Sequence, residues 1–231
     1  MLVDRLHETI VPSLDSKRPC DCFFHKAFFG QFRSEVTCYG CGAVSQTQDP
    51  FSAISLDFQK QFQRKKKAVV KMSSSAVPDL HSALQSYTAS ENLSSEQYTC
   101  RGCGVPTSAS KRVQIRKLPA ILCIHVKRFG GRNVGGSYVE EKHEGKIDFP
   151  LSIDMALYTA ETASRRQEEL EYDLESVVVH HGQQIQNGHY FAFCRQGDRW
   201  FKFDDEIVSV STMEEVLRQE AYLLFYSLRS I

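Results

Sequence analysis

Along most of this chain apolar and polar residues alternate, and β-strands therefore dominate the expectation. Residues 29–36 lead as an extended segment into Cys38, and residues 49–58 alternate on leaving the first cysteine pair. Residues 111–115 and 118–129 read as strands, the second nearly continuous in Ile121, Leu122, Cys123, Ile124 and Val126 and so buried on both faces. Residues 147–151 form a short extended piece, residues 174–179 a central strand, and residues 222–228 a closing one. Helical spacing is rarer. Leu2, Leu6 and Ile10 recur on one face until Pro12 ends the segment, and Leu80, Leu84 and Tyr87 share a face behind an Asp79 cap. Ser211 and Thr212 precede a short helix that runs to Leu217. Three stretches break the pattern: a polar run at 59–75 containing Arg64-Lys65-Lys66-Lys67, a Gly-rich segment at 130–136 that reads as an exposed loop, and a charged insertion at 161–171.

Composition narrows the classes. With 231 residues there is ample material for a core, and 28 basic against 28 acidic residues leave no global field for nucleic acid or an anionic membrane. The basic run at 64–67 is the one local candidate for nuclear import or an acidic surface; four charges are also what a solvated loop carries. No apolar stretch reaches the length of a membrane span, and residues 1–8 lack the apolar run of a secretion signal. The expectation is a soluble, intracellular protein that is not secreted. Its eight cysteines then call for an explanation other than disulfides.

Four of them form two knuckles, Cys38-Tyr39-Gly40-Cys41 and Cys100-Arg101-Gly102-Cys103, each followed by a glycine. Two residues between thiols, with Gly in or after the turn, let both sulfurs face one centre about 2.3 Å away. The spacing predicts a structural Zn2+ held by Cys38, Cys41, Cys100 and Cys103, with an insertion folded elsewhere between the halves. A redox pair would need a strand-to-helix context that is missing. Cys20-Asp21-Cys22 with His25 is a second candidate metal site, and His7 lies upstream as its least secured ligand. The same cluster also reads as buried thiols beside Phe23, Phe24, Phe28 and Phe29. Cys123 and Cys194 sit in apolar strands as core thiols.

The chemistry-bearing stretch is 180–206. A Gly-bounded polar loop, His180 to Gly188, feeds the alternating strand His189-Tyr190-Phe191-Ala192-Phe193; a turn at Gln196-Gly197-Asp198 follows, and Trp200-Phe201-Lys202-Phe203 ends in Asp204-Asp205. Adjacent strands lie about 5 Å apart, so this hairpin returns Asp204 to His189. A histidine oriented by a carboxylate is the base half of a nucleophilic triad. Taken alone, the pair is also what an ordinary hairpin shows at its wet end.

The flanking residues change that balance. Gly188-His189-Tyr190, Trp200 to Asp205, and Ala221-Tyr222-Leu223-Leu224-Phe225-Tyr226 together resemble the histidine box of the ubiquitin-specific proteases, which are papain-like cysteine deubiquitinases. Asp49-Pro50-Phe51, Lys117-Leu118-Pro119, His125-Val126-Lys127-Arg128-Phe129 and Asp148-Phe149-Pro150 continue the resemblance over nearly the whole chain. It implies an α+β hand: zinc-ribbon fingers at 34–58 and 94–116, and a mixed, largely antiparallel sheet palm at 117–231. It implies His189 as general base, Asp204 as its orienter and Asp205 as an auxiliary. Cys20 and Cys22 before the first knuckle, and Val36-Thr37 entering it, are similar to the branch that serves the SAGA co-activator's deubiquitinating module. That branch implies a nuclear protein, co-activator subunits and ubiquitin as partners, and mono-ubiquitinated histone as substrate.

One part of the resemblance is missing. The family places its nucleophilic cysteine in an Asn-x-x-Cys box at the start of a thumb, and no such segment occurs in residues 1–231. Two readings remain at this point. In one the chain is the C-terminal part of a cysteine-type deubiquitinase, inactive by itself. In the other it is a non-catalytic ubiquitin-binding or scaffold protein. A zinc-ribbon nucleic-acid module fits poorly, because neither knuckle carries a basic face.

Overall fold

The structure, a computed structural model, describes residues 9, 20, 22–58, 77–160, 170–184 and 187–229. The expected helix at residues 2–10 apart from Thr9, His7 included, the basic run at 64–67 and most of the charged insertion lie outside them. Two sheets organise the rest, with short helices α1 (Phe23–Phe28), α2 (Leu80–Thr88) and α3 (Met213–Leu217). The architecture is α+β and sheet-rich.

The first sheet has four strands in the order β2-β1-β5-β4, all antiparallel: β1 (Gly30–Cys38), β2 (Val44–Phe51), β4 (Glu91–Leu93) and β5 (Ala109–Lys117). Its long central strands end where the two cysteine knuckles begin. The second sheet is the larger. Its order β13-β12-β11-β10-β14-β6-β3 runs through β3 (Ile54–Leu56), β6 (Ile121–Val126), β10 (Glu171–His181), β11 (His189–Gln196), β12 (Arg199–Asp204), β13 (Ile207–Ser211) and β14 (Ala221–Leu228). The short β9 (Ser152–Asp154) adds to β10. Among the described strands of this sheet only β3 with β6 pairs in parallel.

The core lies on one face of the large sheet. Leu122, Ile124, Leu174, Val177, Phe193, Leu224 and Tyr226 pack there against Leu80 and Leu84 of α2. Asp79 caps α2 by accepting from the Ser82 amide at 2.8 Å, as the sequence predicts, and Thr212 caps α3 the same way through Glu215. Burying these branched side chains is the main favourable term in folding. The far edge is less covered, and Val208 and Val210 on β13 remain exposed.

Three expectations need correction. The Gly-rich segment is not an exposed loop: Phe129–Val134 (β7) pairs with Ser137–Lys142 (β8) as a two-stranded hairpin. Pairing requires only backbone groups, and Gly135 and Gly136 supply the positive φ values, 58° and 86°, that a two-residue turn demands. The strand predicted at 118–129 is shorter, Ile121–Val126, with His125 half-buried rather than sealed on both faces. Cys194 is likewise half-buried, its Sγ 3.4 Å from Ser176 Oγ, and is no sealed core thiol.

Candidate functional site

His189 opens β11 and Asp204 closes β12. The pair Ala192↔Phe203 sets the register, so one step further Asp204 stands opposite Phe191 and diagonal to His189 on the same face. The geometry follows from the alternation and from the short turn at Gly197 (φ 59°). His189 Nε2 hydrogen-bonds Asp204 Oδ1. The other carboxylate oxygen, Oδ2, accepts from Lys202 Nζ at 2.7 Å, and the same ammonium sits 4.4 Å from the Phe191 ring centroid. Asp205 occupies the following turn with φ 52°, and its carboxylate comes within 4.8 Å of both partners.

The electrostatics of this cluster are mutual. The hydrogen bond that His189 donates to Asp204, aided by the charges of Asp204 and Asp205, raises the His189 imidazole above its ordinary range. Lys202 first, then His189, hold the Asp204 carboxyl below the usual carboxylate range. Because Nε2 is committed to Asp204, Nδ1 is the nitrogen left to exchange a proton with a neighbouring group. Lys202 was absent from the sequence expectation. Its position two residues before Asp204, on the same strand face, is the signal that could have found it.

A sealed floor lies behind the loop. His180 is only 3% exposed, and both its ring nitrogens lack a hydrogen-bond partner among the described residues. Phe129 and Tyr190 meet it edge-on at centroid distances of 5.1 and 4.7 Å, and Tyr222 lies 6.2 Å away. Burial, then Lys142 and His181, push its imidazole below the ordinary range and so favour the neutral form.

The four knuckle cysteines converge. Their sulfurs all lie within 4.8 Å of one another, and Cys41 Sγ is 3.7 Å from Cys100 Sγ. A tetrahedral ion with bonds of about 2.3 Å needs sulfurs roughly 3.8 Å apart. Cys38 and Cys100 are buried, Cys41 and Cys103 exposed. The turns match: the Gly42 amide donates to the Cys38 carbonyl at 3.0 Å and the Gly104 amide to that of Cys100 at 2.8 Å, with φ values of 72° and 73°. The Cys103 amide leads in lowering the Cys100 thiol, to about 6. The Ala43 amide lowers Cys41, but the crowding of Cys38 and Cys100 outweighs it and pushes the thiol up to about 11. Four thiols so crowded suit a cation that holds them as thiolates. The second cluster also forms. Cys20, Cys22 and His25 bring their ligand atoms within 4.8 Å, with Cys22 Sγ 3.3 Å from His25 Nδ1, and His25 stacks on Phe29.

Residues 1–226 match the family described as ubiquitin carboxyl-terminal hydrolase. Human ubiquitin carboxyl-terminal hydrolase 3 is 37% identical over 201 residues, which is 86% of this chain and 38% of that protein. Ubiquitin carboxyl-terminal hydrolase 8 of Saccharomyces cerevisiae is 32% identical over 246 residues, 100% of this chain and 48% of that protein. Among solved structures, a SAGA DUB module of Ubp8 with Sgf11, Sus1 and Sgf73, bound to monoubiquitin, superposes with a TM-score of 0.77 at 33% identity over 100% of this chain and 47% of that one. The chain belongs to the ubiquitin carboxyl-terminal hydrolase family and has the fold of its ubiquitin-specific proteases. It spans less than half the length of these relatives.

Proposed function

We propose that this chain is the fingers-and-palm part of a cysteine deubiquitinase that cleaves the isopeptide bond after the C-terminal glycine of ubiquitin. The observation that carries it is the His189–Asp204 pair, with Asp205 in reach, at the end of a hairpin in a chain of this family. The nucleophile comes from a segment outside these 231 residues. With Nε2 held by Asp204, His189 Nδ1 takes the thiol proton, and the thiolate attacks the isopeptide carbonyl carbon. As the C–N bond breaks, Nδ1–H protonates the departing lysine amine. Nδ1 then takes a proton from water as the water oxygen attacks the thioester carbon; when the C–S bond breaks, Nδ1–H returns its proton to the departing thiolate and the ubiquitin carboxylate is released. Asp204 orients the ring and stabilises the imidazolium; Asp205 adds negative charge beside it.

In this reading 34–58 and 94–116 are the fingers, carrying most of the four-stranded sheet with β3 handing the chain across to the large sheet, and 117–231 is the palm. Cys38, Cys41, Cys100 and Cys103 hold a structural Zn2+ that does no chemistry. Cys20, Cys22 and His25 would hold a second, with His7 the candidate for a further ligand. The likeness to Ubp8 in a SAGA module with Sgf11, Sus1 and Sgf73, bound to monoubiquitin, supports a protein that works on ubiquitin with co-activator subunits; a nuclear setting and a mono-ubiquitinated histone substrate complete the proposal.

The test is reconstitution. Alone, the chain does not hydrolyse a fluorogenic ubiquitin substrate; supplied with a thiol-bearing family segment, fused or in trans, it does, and His189→Ala then abolishes turnover. A reconstituted enzyme indifferent to His189→Ala overturns the reading. Ubiquitin binding without turnover under every reconstitution identifies a scaffold protein instead.

A further inference from the structure

His189 owes its position to the loop before it, and that loop is gripped from outside the large sheet. Lys142, the last residue of β8, sends its ammonium to two backbone carbonyls, that of His180 at 3.1 Å and that of Gly182 at 2.6 Å. One cation thus fixes both sides of the point where β10 ends and the loop departs. Two residues on, Glu144 accepts from the Gln183 side chain at 3.1 Å. The gripping segment is itself anchored. Arg128 is 1% exposed; its Nη1 donates to the carbonyls of His143 and Gly145 at 3.1 and 3.0 Å, and its Nε donates to Ala221 at 2.7 Å. Glu220 accepts from the Gly145 amide at 3.1 Å.

The far end of the loop is closed by contact. A β-carbon on Gly188 would collide with His180 Nε2. A β-carbon on Gly182 would stand 2.8 Å from the Asn187 carbonyl oxygen. The loop's two ends therefore touch, and the buried His180 ring is the surface on which the residue before His189 rests. Nothing in this contact gives the loop directional hold, since the ring nitrogens lack partners among the described residues. The directional bonds that reach the loop from outside it are those of Lys142 and Glu144; within it Asn187 Nδ2 donates to Gln184 Oε1 at 3.4 Å.

We infer that Lys142 is a positioning residue for His189: by binding the His180 and Gly182 carbonyls it sets the loop whose other end places the imidazole against Asp204. This rests on the deubiquitinase reading for its catalytic consequence, but not for its geometry. A charge-assisted bond to each of two carbonyls is strong and short-ranged, and Arg can reproduce it where Met cannot.

The test reads the histidine directly. In the chain labelled with 15N-histidine, His189 should show one fixed tautomer and a raised titration midpoint, with Asp204, Asp205 and Lys202 as the charged groups facing it. Lys142→Met should leave the core methyl spectrum intact while His189 averages between tautomers and its midpoint falls toward the ordinary value; Lys142→Arg should restore both. Glu144→Ala, which removes one exposed contact, should shift His189 the same way by less and serves if Lys142→Met does not fold. In reconstituted enzyme Lys142→Met should lower kcat about 10- to 100-fold with KM within about twofold. A His189 spectrum unchanged in both variants overturns the inference, even in an active enzyme. A Lys142-dependent His189 in a chain that no reconstitution activates sustains the clamp and overturns the catalytic reading instead.

Discussion

Lys202 and His189 share one carboxylate: Lys202 Nζ holds Asp204 Oδ2 at 2.7 Å while His189 Nε2 holds Oδ1. The ammonium steadies the acid and at the same time opposes a positive imidazole. Removing it should therefore separate the two effects. In Lys202→Met the His189 midpoint should rise above its already raised value, and the Asp204 carboxyl should climb back toward the usual range. An NMR titration of both groups decides this. A His189 midpoint that falls would mean that Lys202 acts chiefly by holding Asp204 in place.

The same pair sets a pH window for its contribution to stability. His189 titrates higher in the folded chain than when unfolded, so its share is complete below the ordinary imidazole midpoint of about 6.5 and fades as pH rises through the folded one. Asp204 titrates lower when folded, so its share is present above the ordinary carboxylate midpoint of about 3.9 and is lost as pH falls through the folded value. The difference in Tm between the chain and His189→Ala should thus be largest between about pH 4 and 6.5 and shrink at higher pH. Both side chains are partly exposed and screened, so the difference should be small throughout. A gap that widens above pH 8 would refute this assignment.

Metal content separates the two cysteine clusters. The chain should carry two zinc ions, and Cys38→Ala should lose one while Cys22→Ala loses the other. Structural zinc supplies folding free energy on the order of 10 kcal/mol in small modules, so Cys38→Ala should also unfold the four-stranded sheet and leave the large sheet folded. Elemental analysis with amide hydrogen exchange reads both. Unchanged zinc in Cys38→Ala would defeat the four-thiolate assignment.

Two kinds of glycine should respond differently to a methyl group. At Gly104, φ is 73° and nothing lies within 4 Å of the added carbon, so Gly104→Ala bears only the left-handed backbone cost, about 1 kcal/mol. At Gly188 the new carbon strikes the His180 ring. Gly188→Ala should displace the loop, and with it the His189 resonance, while the core survives. Chemical denaturation alongside the histidine spectrum distinguishes the cases, and a Gly188→Ala chain with an unperturbed His189 would show that the ring yields.

What the sequence reveals here is whatever has a period or a spacing. The two-residue alternation of 189–193 and 200–204 is enough to bring His189 to Asp204, and the paired CxxC knuckles are enough to gather four sulfurs. The β7–β8 hairpin was hidden because its strand carries Gly130 and Gly131, whose composition signals a loop although their backbone groups pair as well as any. Lys142 and Arg128 were hidden for another reason. Both act on backbone carbonyls, which every residue has, so no partner residue type marks the contact. His180 was visible as a residue but not as a floor, since that role depends on Phe129 and Tyr222, distant in sequence.

The remaining cysteines decide whether any thiol within the chain can serve as the nucleophile that the proposed reaction needs. Cys123 is buried in β6, and burial pushes its thiol up to about 12. Near neutral pH that keeps it a thiol rather than the thiolate, the form that attacks. Cys194 is half-buried against Ser176 Oγ, on the strand that carries His189. His189 opens that strand and Cys194 lies five residues along it, so the two side chains point to opposite faces of the sheet. The other six cysteines are gathered in the two clusters. A ubiquitin suicide probe should therefore form no adduct with the isolated chain. Iodoacetamide should modify Cys194 slowly, the clustered thiols only after chelation, and Cys123 only on unfolding. A probe adduct at Cys123 or Cys194, mapped by mass spectrometry and lost in His189→Ala, would show that the chain carries its own nucleophile.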